Sequence, residues 1–373
     1  MNPALDLESL PPPARKVLDP ASPPAMRAMA AKGIIPGLKP GDVVAVVAAL
    51  AESSESTVAQ TARATLAALP PPVRDGALAA DLQPGVVDAL ASAYLGNDDV
   101  LEKLVGQPRI TAETLATLAA HGSERITELI ATNETRLLAN PVIIERLYMN
   151  KRTRMSTADR IVELAARNGI ELTGIPAFRE IVAALDGELI PEPSDEATPD
   201  DIAFLDADAI AAQLDLDPEK EDVHEATPDG EEIVKKVLPL HAMLAALPIS
   251  GKIRRAMLGT AAERMLLVRD HNKLVASAAI RSPQTQEPEV VRISASRNTH
   301  DEVLRIIATS GEWLKSHQIK YNLVANPRTP FAFAAKLVLH LREHELKALE
   351  RSRDVTSAVR QAVKQHLQRK GKG

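Results

Sequence analysis

The chain has 373 residues, of which 45% are apolar and 25% charged, with a formal net charge of −6 and no Cys. At about 100–200 residues per domain this length predicts two domains, and the absence of Cys excludes a disulfide scaffold, an iron–sulfur protein, a Cys-ligated zinc module and a thiol nucleophile. Because no run of about 18 apolar residues occurs and the first residues lack a signal-peptide pattern, we expect a cytoplasmic protein without membrane insertion.

The charge is divided unevenly along the chain. Residues 1–185 are close to neutral, residues 186–232 carry one Lys against 18 acidic residues, and residues 233–373 carry 25 Lys and Arg against 11 acidic residues. A strongly acidic, Pro-containing stretch cannot bury enough apolar surface to offset its chain entropy. The sequence therefore predicts an N-terminal helical-repeat lobe at 1–185, an acidic disordered linker at 186–232 and a basic C-terminal helical-repeat lobe at 233–373.

Both predicted lobes are rich in Ala, Leu, Glu and Arg, with apolar residues at helical spacing. Leu115 and Leu118 share one face of the segment Thr111–His121, and Val359 and Val363 do the same near the carboxyl end. Alternating runs of β-branched or aromatic residues, which are typical of strands, are almost absent. The predicted fold class is therefore all-α.

A short phrase made of an apolar helix end, a polar residue and Pro recurs in both lobes. It reads LVGQPR at Leu104–Arg109 and LVANPR at Leu323–Arg328, with shorter versions at Leu137–Pro141 and Ala279–Pro283. Pro suits the first turn of a helix, and the residue before it is pushed out of the helical region, so each phrase ends one helix and begins the next. Recurrence of such units predicts an α-solenoid, with an irregular helical bundle as the alternative because the spacing varies.

These units resemble the leucine-rich repeat variant and the HEAT and armadillo-like repeat proteins of bacteria. The resemblance covers residues 100–170 and 253–368 and depends on the short helix–Pro–helix phrases. It implies an armadillo-like superhelix that binds another macromolecule. It carries over no catalytic residues, because these families share no catalytic motif.

One stretch of the predicted linker has helical spacing. Ile202, Leu205, Ile210 and Leu214 are three, five and four residues apart, and Asp201 is suited to cap the start. One interpretation is a short acidic helix that docks on the basic lobe through these four side chains. The alternative is a nascent helix that contacts nothing.

Cations recur through the successive units of the C-terminal lobe, where stacked repeats would place them along one surface. We predict that twelve of them contact a partner: Arg254, Arg255, Arg264, Arg269, Lys273, Arg281, Arg292, Arg297, Arg305, Arg328, Arg351 and Arg353. The predominance of Arg favours forked contacts with carboxylate or phosphate groups. The alternative is a solvated face on which the Arg stems cover the edges of the core.

The motifs for catalysis are weak. His340-Leu341-Arg342-Glu343-His344 matches an inverted zinc-protease signature, but only 29 residues follow it to supply a third ligand. Gly251-Lys252 lacks both the Gly-rich lead and the Ser or Thr of a phosphate-binding loop. We therefore predict no enzyme, no catalytic residue, no cofactor, no metal and no small-molecule substrate. Trp313, the single Trp, is interpreted as a core residue rather than a binding anchor.

The predicted function is that of a non-catalytic adaptor whose basic lobe binds a protein partner with an acidic surface. A further hypothesis is that the acidic linker folds back on this lobe and screens it, since the two carry opposite charge and are tethered to each other. The alternative is a protein that binds nucleic acid or the ribosome through the same cations.

Overall fold

Short α-helices joined by turns make up the fold in the computed structural model, which describes residues 5–190, 192–194, 196–213 and 239–370. These residues include no β-strand, so the all-α fold class is confirmed for the part of the chain described. The chain divides into two compact units, an N-terminal unit at Met1–Ile170 and a C-terminal unit at Glu171–Gly373.

Twelve helices of six to thirteen residues lie in the N-terminal unit. They are Pro12–Leu18 (α1), Pro24–Ala31 (α2), Pro40–Ala51 (α3), Ser56–Ala67 (α4), Pro71–Leu78 (α5), Pro84–Ala93 (α6), Asp98–Val105 (α7), Ala112–His121 (α8), Glu124–Ala131 (α9), Glu134–Ala139 (α10), Pro141–Met149 (α11) and Met155–Arg167 (α12). Many start with Pro in the first turn, where its missing N–H costs nothing. The helix predicted at Thr111–His121 is present as α8, and it buries Leu115 and Leu118.

The C-terminal unit is built in the same way. Its helices are Phe178–Leu185 (α13), Pro199–Ala212 (α14), Ile249–Leu258 (α15), Ala261–Leu267 (α16), Lys273–Arg281 (α17), Glu287–Ala295 (α18), Asp301–Thr309 (α19), His317–Ala325 (α20), Phe331–Val338 (α21), Glu343–Arg351 (α22) and Ser357–Lys370 (α23). Residues 239–246 are also helical, and a 3₁₀ turn spans Trp313–Lys315.

Packing in both units follows chain order. Several helices contact both the next helix and the next but one, as α3 does with α4 and α5, and as α15 does with α16 and α17. These helices thereby bury apolar side chains against their sequence neighbours, and those side chains form the core of each unit. Val359 and Val363 of α23 are buried in this way, as their spacing predicted.

The recurring Pro phrases contain buried amides that tie one helix end to an earlier one. In the N-terminal unit, the Gln107 side chain donates to the Leu78 carbonyl at 2.9 Å, 29 residues earlier. In the C-terminal unit, Asn326 donates to the Ser294 carbonyl at 2.8 Å, 32 residues earlier. The last carbonyls of a helix have no partner within it, and these amides supply one. The polar residue before each of these two Pro residues therefore links helices about 30 positions apart.

The predicted linker contains folded structure. Residues 199–212 form α14, which begins with a capping box between Thr198 and Asp201 and buries Phe204 and Ala207. This stretch is therefore a helix of the C-terminal unit, as the helical spacing of Ile202, Leu205 and Ile210 indicated, rather than disordered chain. The remainder of the predicted linker from residue 214 onward lies outside the described residues.

Candidate binding groove

Three of the twelve predicted contact cations are inside the C-terminal unit. Arg254, Arg255 and Arg264 have exposed fractions of 0%, 0% and 4%. The expectation that all twelve line one exposed surface is corrected at these positions. At Arg255 and Arg264 the reason is that carboxylates meet the guanidinium groups and let them leave water.

Three ion pairs hold Arg255 and Arg264. Arg255 Nε donates to Glu263 Oε1 at 2.6 Å, and Arg255 Nη2 lies 2.8 Å from Asp208 Oδ1. Arg264 donates to both carboxylate oxygens of Glu289, at 3.0 and 2.7 Å. Burial acts to lower the pKa of Arg255, but its hydrogen bonds and charge interactions with Glu263 and Asp208 outweigh burial and raise it. Arg255 therefore remains charged inside the unit.

The other predicted contact cations are on the surface. Arg269 and Arg292 are half-buried, and seven are exposed: Lys273, Arg281, Arg297, Arg305, Arg328, Arg351 and Arg353. Arg297 pairs with Asp354 at 2.8 Å. The surface prediction therefore holds for part of the set.

Arg281 and Arg305 meet at one groove of about 500 Å³ in the C-terminal unit. Trp313 forms part of the groove wall. It is half-buried, whereas the sequence predicted a core residue. Hydroxyl-bearing side chains complete the lining, among them Thr285 and Ser310. We call this site the Trp313 groove. It combines an aromatic face with two guanidinium groups.

Three consecutive elements position these side chains. Helix α17 ends at Arg281, and α19 carries Arg305 two turns before the 3₁₀ turn that begins at Trp313. The loop after α17 is fixed by its own hydroxyls, because Ser282 Oγ donates to the Met257 carbonyl at 3.2 Å and Thr285 Oγ1 donates to the Ala279 carbonyl at 3.2 Å. The groove wall is thus pinned to the helical core.

Both groove arginines have carboxylate partners. Arg281 Nε lies 3.1 Å from Glu180 Oε1, and Arg305 pairs with Glu302, where Nε donates to Oε2 at 2.8 Å. The Arg305 hydrogen bond lowers the pKa of Glu302, burial opposes it, and the charges of Arg281 and Lys273 add to the lowering. Three cations therefore surround Glu302. The groove presents oriented N–H donors rather than a large excess of positive charge.

Sequence reasoning found the two arginines but missed Glu180, Glu302 and the role of Trp313. Glu180 is about 100 residues from Arg281 in the sequence, so no spacing marks it, whereas Glu302 precedes Arg305 by three residues, a helical spacing that does indicate an ion pair. Trp313 follows Gly311 and Glu312, a polar context that is a usable signal against a core position.

The predicted docking side chains of the linker helix do not face its packing partner. Ile202 and Leu205 are 52% and 46% exposed, and Ile210 is half-buried. Leu214 lies outside the described residues. The face of α14 that packs carries Phe204, Ala207 and Ala211. The physical reason is that α14 is apolar on more than one side, so spacing alone selected the wrong stripe.

The N-terminal unit has a groove of its own, about 330 Å³ in volume and lined mainly by Ala. Its charged lining residues are Glu52, Arg63 and Asp88. Asp88 already accepts a hydrogen bond from Thr114 at 3.1 Å. With small apolar walls and no aromatic side chain, this groove offers less to a ligand than the Trp313 groove does.

Within the described part of the chain, no group of three or more His, Asp or Glu residues could hold a metal ion. His340, Glu343 and His344 of the zinc-protease-like motif are all exposed. No helix in the same ranges has both the length and the apolar character needed to cross a membrane. Comparisons with protein-family models, curated proteins and solved structures returned no match for this chain.

Proposed function

We propose that the protein is a non-catalytic helical-repeat adaptor that binds an acidic segment of a partner protein in the Trp313 groove. The observation that carries this proposal is the meeting of Arg281, Arg305 and Trp313 at one groove. Guanidinium groups recognise carboxylates with forked geometry, and an indole face supplies apolar contact area at low entropic cost.

The repeat architecture is part of the same proposal. Its support is the packing of helices on their second neighbours and the buried amides that reach back 29 and 32 residues. A stack of such units presents an extended surface of loops and helix ends, which is how repeat proteins hold partners.

Ion pairing favours a peptide over nucleic acid as the ligand. Glu180 and Glu302 offset the charge of Arg281 and Arg305, which weakens the attraction for a polyphosphate chain. The whole chain has 8 aromatic residues, and one of them lines the groove. Binding of single strands usually needs several stacking platforms. A short acidic peptide needs only a few oriented donors and one apolar contact.

The single Trp of the chain makes the test direct. Deca-glutamate is titrated into the full-length protein while Trp313 emission is recorded, and a ten-nucleotide RNA is titrated in parallel. We expect a saturable change with the peptide and none with RNA. Loss of one charge-assisted contact, about 1 kcal/mol, should weaken peptide binding about fivefold in Arg281→Gln and Arg305→Gln.

Arg351→Gln is the matched control, because Arg351 is exposed on α22 and does not line the groove. Its peptide affinity should equal that of the wild type. An unchanged Trp signal with peptide, equal weakening in all three variants, or a saturable response to RNA would each refute the proposal.

A further inference from the structure

Helix α14 lies on α15 through a contact that joins an aromatic ring to two cations. Phe204 is 1% exposed, and the guanidinium carbons of Arg254 and Arg255 lie 4.7 and 5.0 Å from its ring centroid. Guanidinium groups at this distance from an aromatic face are attracted to it, most strongly when water is excluded. The two arginines are neighbours in sequence and are fully buried. The space between these two arginines that the Phe204 ring fills is called the slot on α15.

The same helix delivers the counter-charge. Asp208 of α14 lies 2.8 Å from Arg255 Nη2. Phe204 and Asp208 are four residues apart, so both project from one face of the helix. The small side chains of Ala207 and Ala211, also buried, let that face approach closely. Among the described residues Arg255 Nη1 has no hydrogen-bond partner, so the slot retains an unused donor.

The character of α14 is that of a ligand rather than of a core helix. It carries Asp200, Asp201, Asp206 and Asp208 and no basic residue. Its outer side leaves Ile202 about half exposed. Departure of α14 would take Phe204 from both guanidinium groups and Asp208 from Arg255. Glu263, which is on α16, would still hold Arg255 in place through its hydrogen bond of 2.6 Å.

We propose that the slot formed by Arg254 and Arg255 is a recognition site for acidic helices that present an aromatic residue followed four positions later by a carboxylate. Helix α14 is the internal ligand, and an acidic amphipathic helix of a partner protein is the external one. The positive charge of Arg254 and Arg255 complements an acidic helix of a partner protein, just as it complements the acidic helix α14 within the chain. Neither arginine lines the Trp313 groove, so this second site extends beyond the adaptor function proposed above.

The test uses the full-length chain with Phe204→Ala and Asp208→Asn, which removes the two α14 side chains that contact Arg254 and Arg255. The probe is a fluorescein-labelled peptide of residues 197–213 with the native sequence, followed by anisotropy. We expect the variant to bind the peptide at least about tenfold more tightly than the wild type, because a tethered competitor acts at about millimolar effective concentration. A peptide carrying the same two substitutions should bind at least about tenfold more weakly. Equal affinity for both proteins, or no binding to the variant, overturns the proposal.

A measurement on the unaltered protein keeps the inference testable if the double variant does not fold. Hydrogen exchange of the wild type compares backbone amides of residues 202–212 with those of residues 253–258. If the amides of residues 202–212 exchange at least about tenfold faster than those of residues 253–258, α14 opens while the helix that carries the slot stays folded, which supports the proposal. Equal rates in the two sets overturn the proposal, because α14 would then leave only when the unit unfolds.

Discussion

Gly259 of the C-terminal unit lies where an added methyl group would meet two atoms at very close range. A Cβ there would lie 2.5 Å from the Arg255 carbonyl and 2.5 Å from Glu263 Oε2. The backbone of Gly259 has an ordinary conformation, with φ of −75°, so the effect of Gly259→Ala is steric. Glu263 is fully buried, and it accepts hydrogen bonds from Arg255 and from the Thr260 backbone at 2.6 Å each. It cannot move without uncoupling that pair.

Breaking a buried ion pair costs about 3–5 kcal/mol, because the remaining charge is left without its partner. In a unit of this size each kcal/mol lowers the midpoint of thermal unfolding by about 2–4 °C. The expected fall for Gly259→Ala is therefore about 10 °C. Trp313 lies in the C-terminal unit and is the only Trp, so its emission reports unfolding of that unit alone.

Gly311→Ala is the matched control, since nothing lies within 4 Å of a Cβ at that position. Its midpoint should stay within about 2 °C of the wild type. The reasoning is refuted if Gly259→Ala also melts within about 2 °C of the wild type, because the buried carboxylate would then tolerate displacement.

Three other predictions concern the amides and the carboxylates. Asn326→Ala removes hydrogen bonds of 2.8 and 2.9 Å to the Ser294 and Ser296 carbonyls and should lower stability by about 2 kcal/mol in Trp-monitored melting, whereas Asn298→Ala, at an exposed position, should not. The hydrogen bond from Arg305 lowers the pKa of Glu302, so Arg305→Gln should raise that pKa, which NMR titration measures. In the wild type, the stability that this pair contributes should be lost as the pH falls through the lowered pKa. Burial raises the pKa of Glu128, and the hydrogen bond from Thr157 opposes this shift. The folded N-terminal unit therefore loses stability as the pH rises through that raised pKa. Glu128→Gln removes the buried charge and should raise the calorimetric unfolding midpoint of this unit near pH 7. An unchanged midpoint in Asn326→Ala, an unmoved Glu302 titration, or a lower midpoint in Glu128→Gln would contradict the respective prediction.

The helices could be predicted from sequence because their signals are local. Pro in the first turn, Ser, Thr or Asn at N-caps, and apolar residues at helical spacing each act within a few positions. Each Pro phrase does end a helix, but the prediction that its Pro begins the next helix is right only at Pro141, because Pro108, Pro283 and Pro327 lie in turns. What spacing could not show is that Gln107 and Asn326 reach back about 30 residues, since that contact depends on how the helices stack.

The candidate sites were less predictable because charge along a chain does not determine charge on a surface. Arg255 and Arg281 are both cations at helical positions, yet one is buried beside Phe204 and the other lies at the edge of a groove. The difference depends on other helices, because Phe204, Asp208 and Glu263 surround Arg255, whereas Arg281 pairs with Glu180 at the surface. A sequence read one helix at a time does not contain those partners.

The central claim is that the Trp313 groove binds an acidic segment, and the most direct measurement is the NMR signal of the Trp313 indole N–H. The chain has one Trp, so its side-chain indole N–H signal is unambiguous. We predict that deca-glutamate shifts it progressively in the wild type and leaves it unmoved in the Arg281→Gln, Arg305→Gln double variant. An indole signal that stays in place while other resonances of the wild type shift would contradict the account, because the peptide would then bind elsewhere.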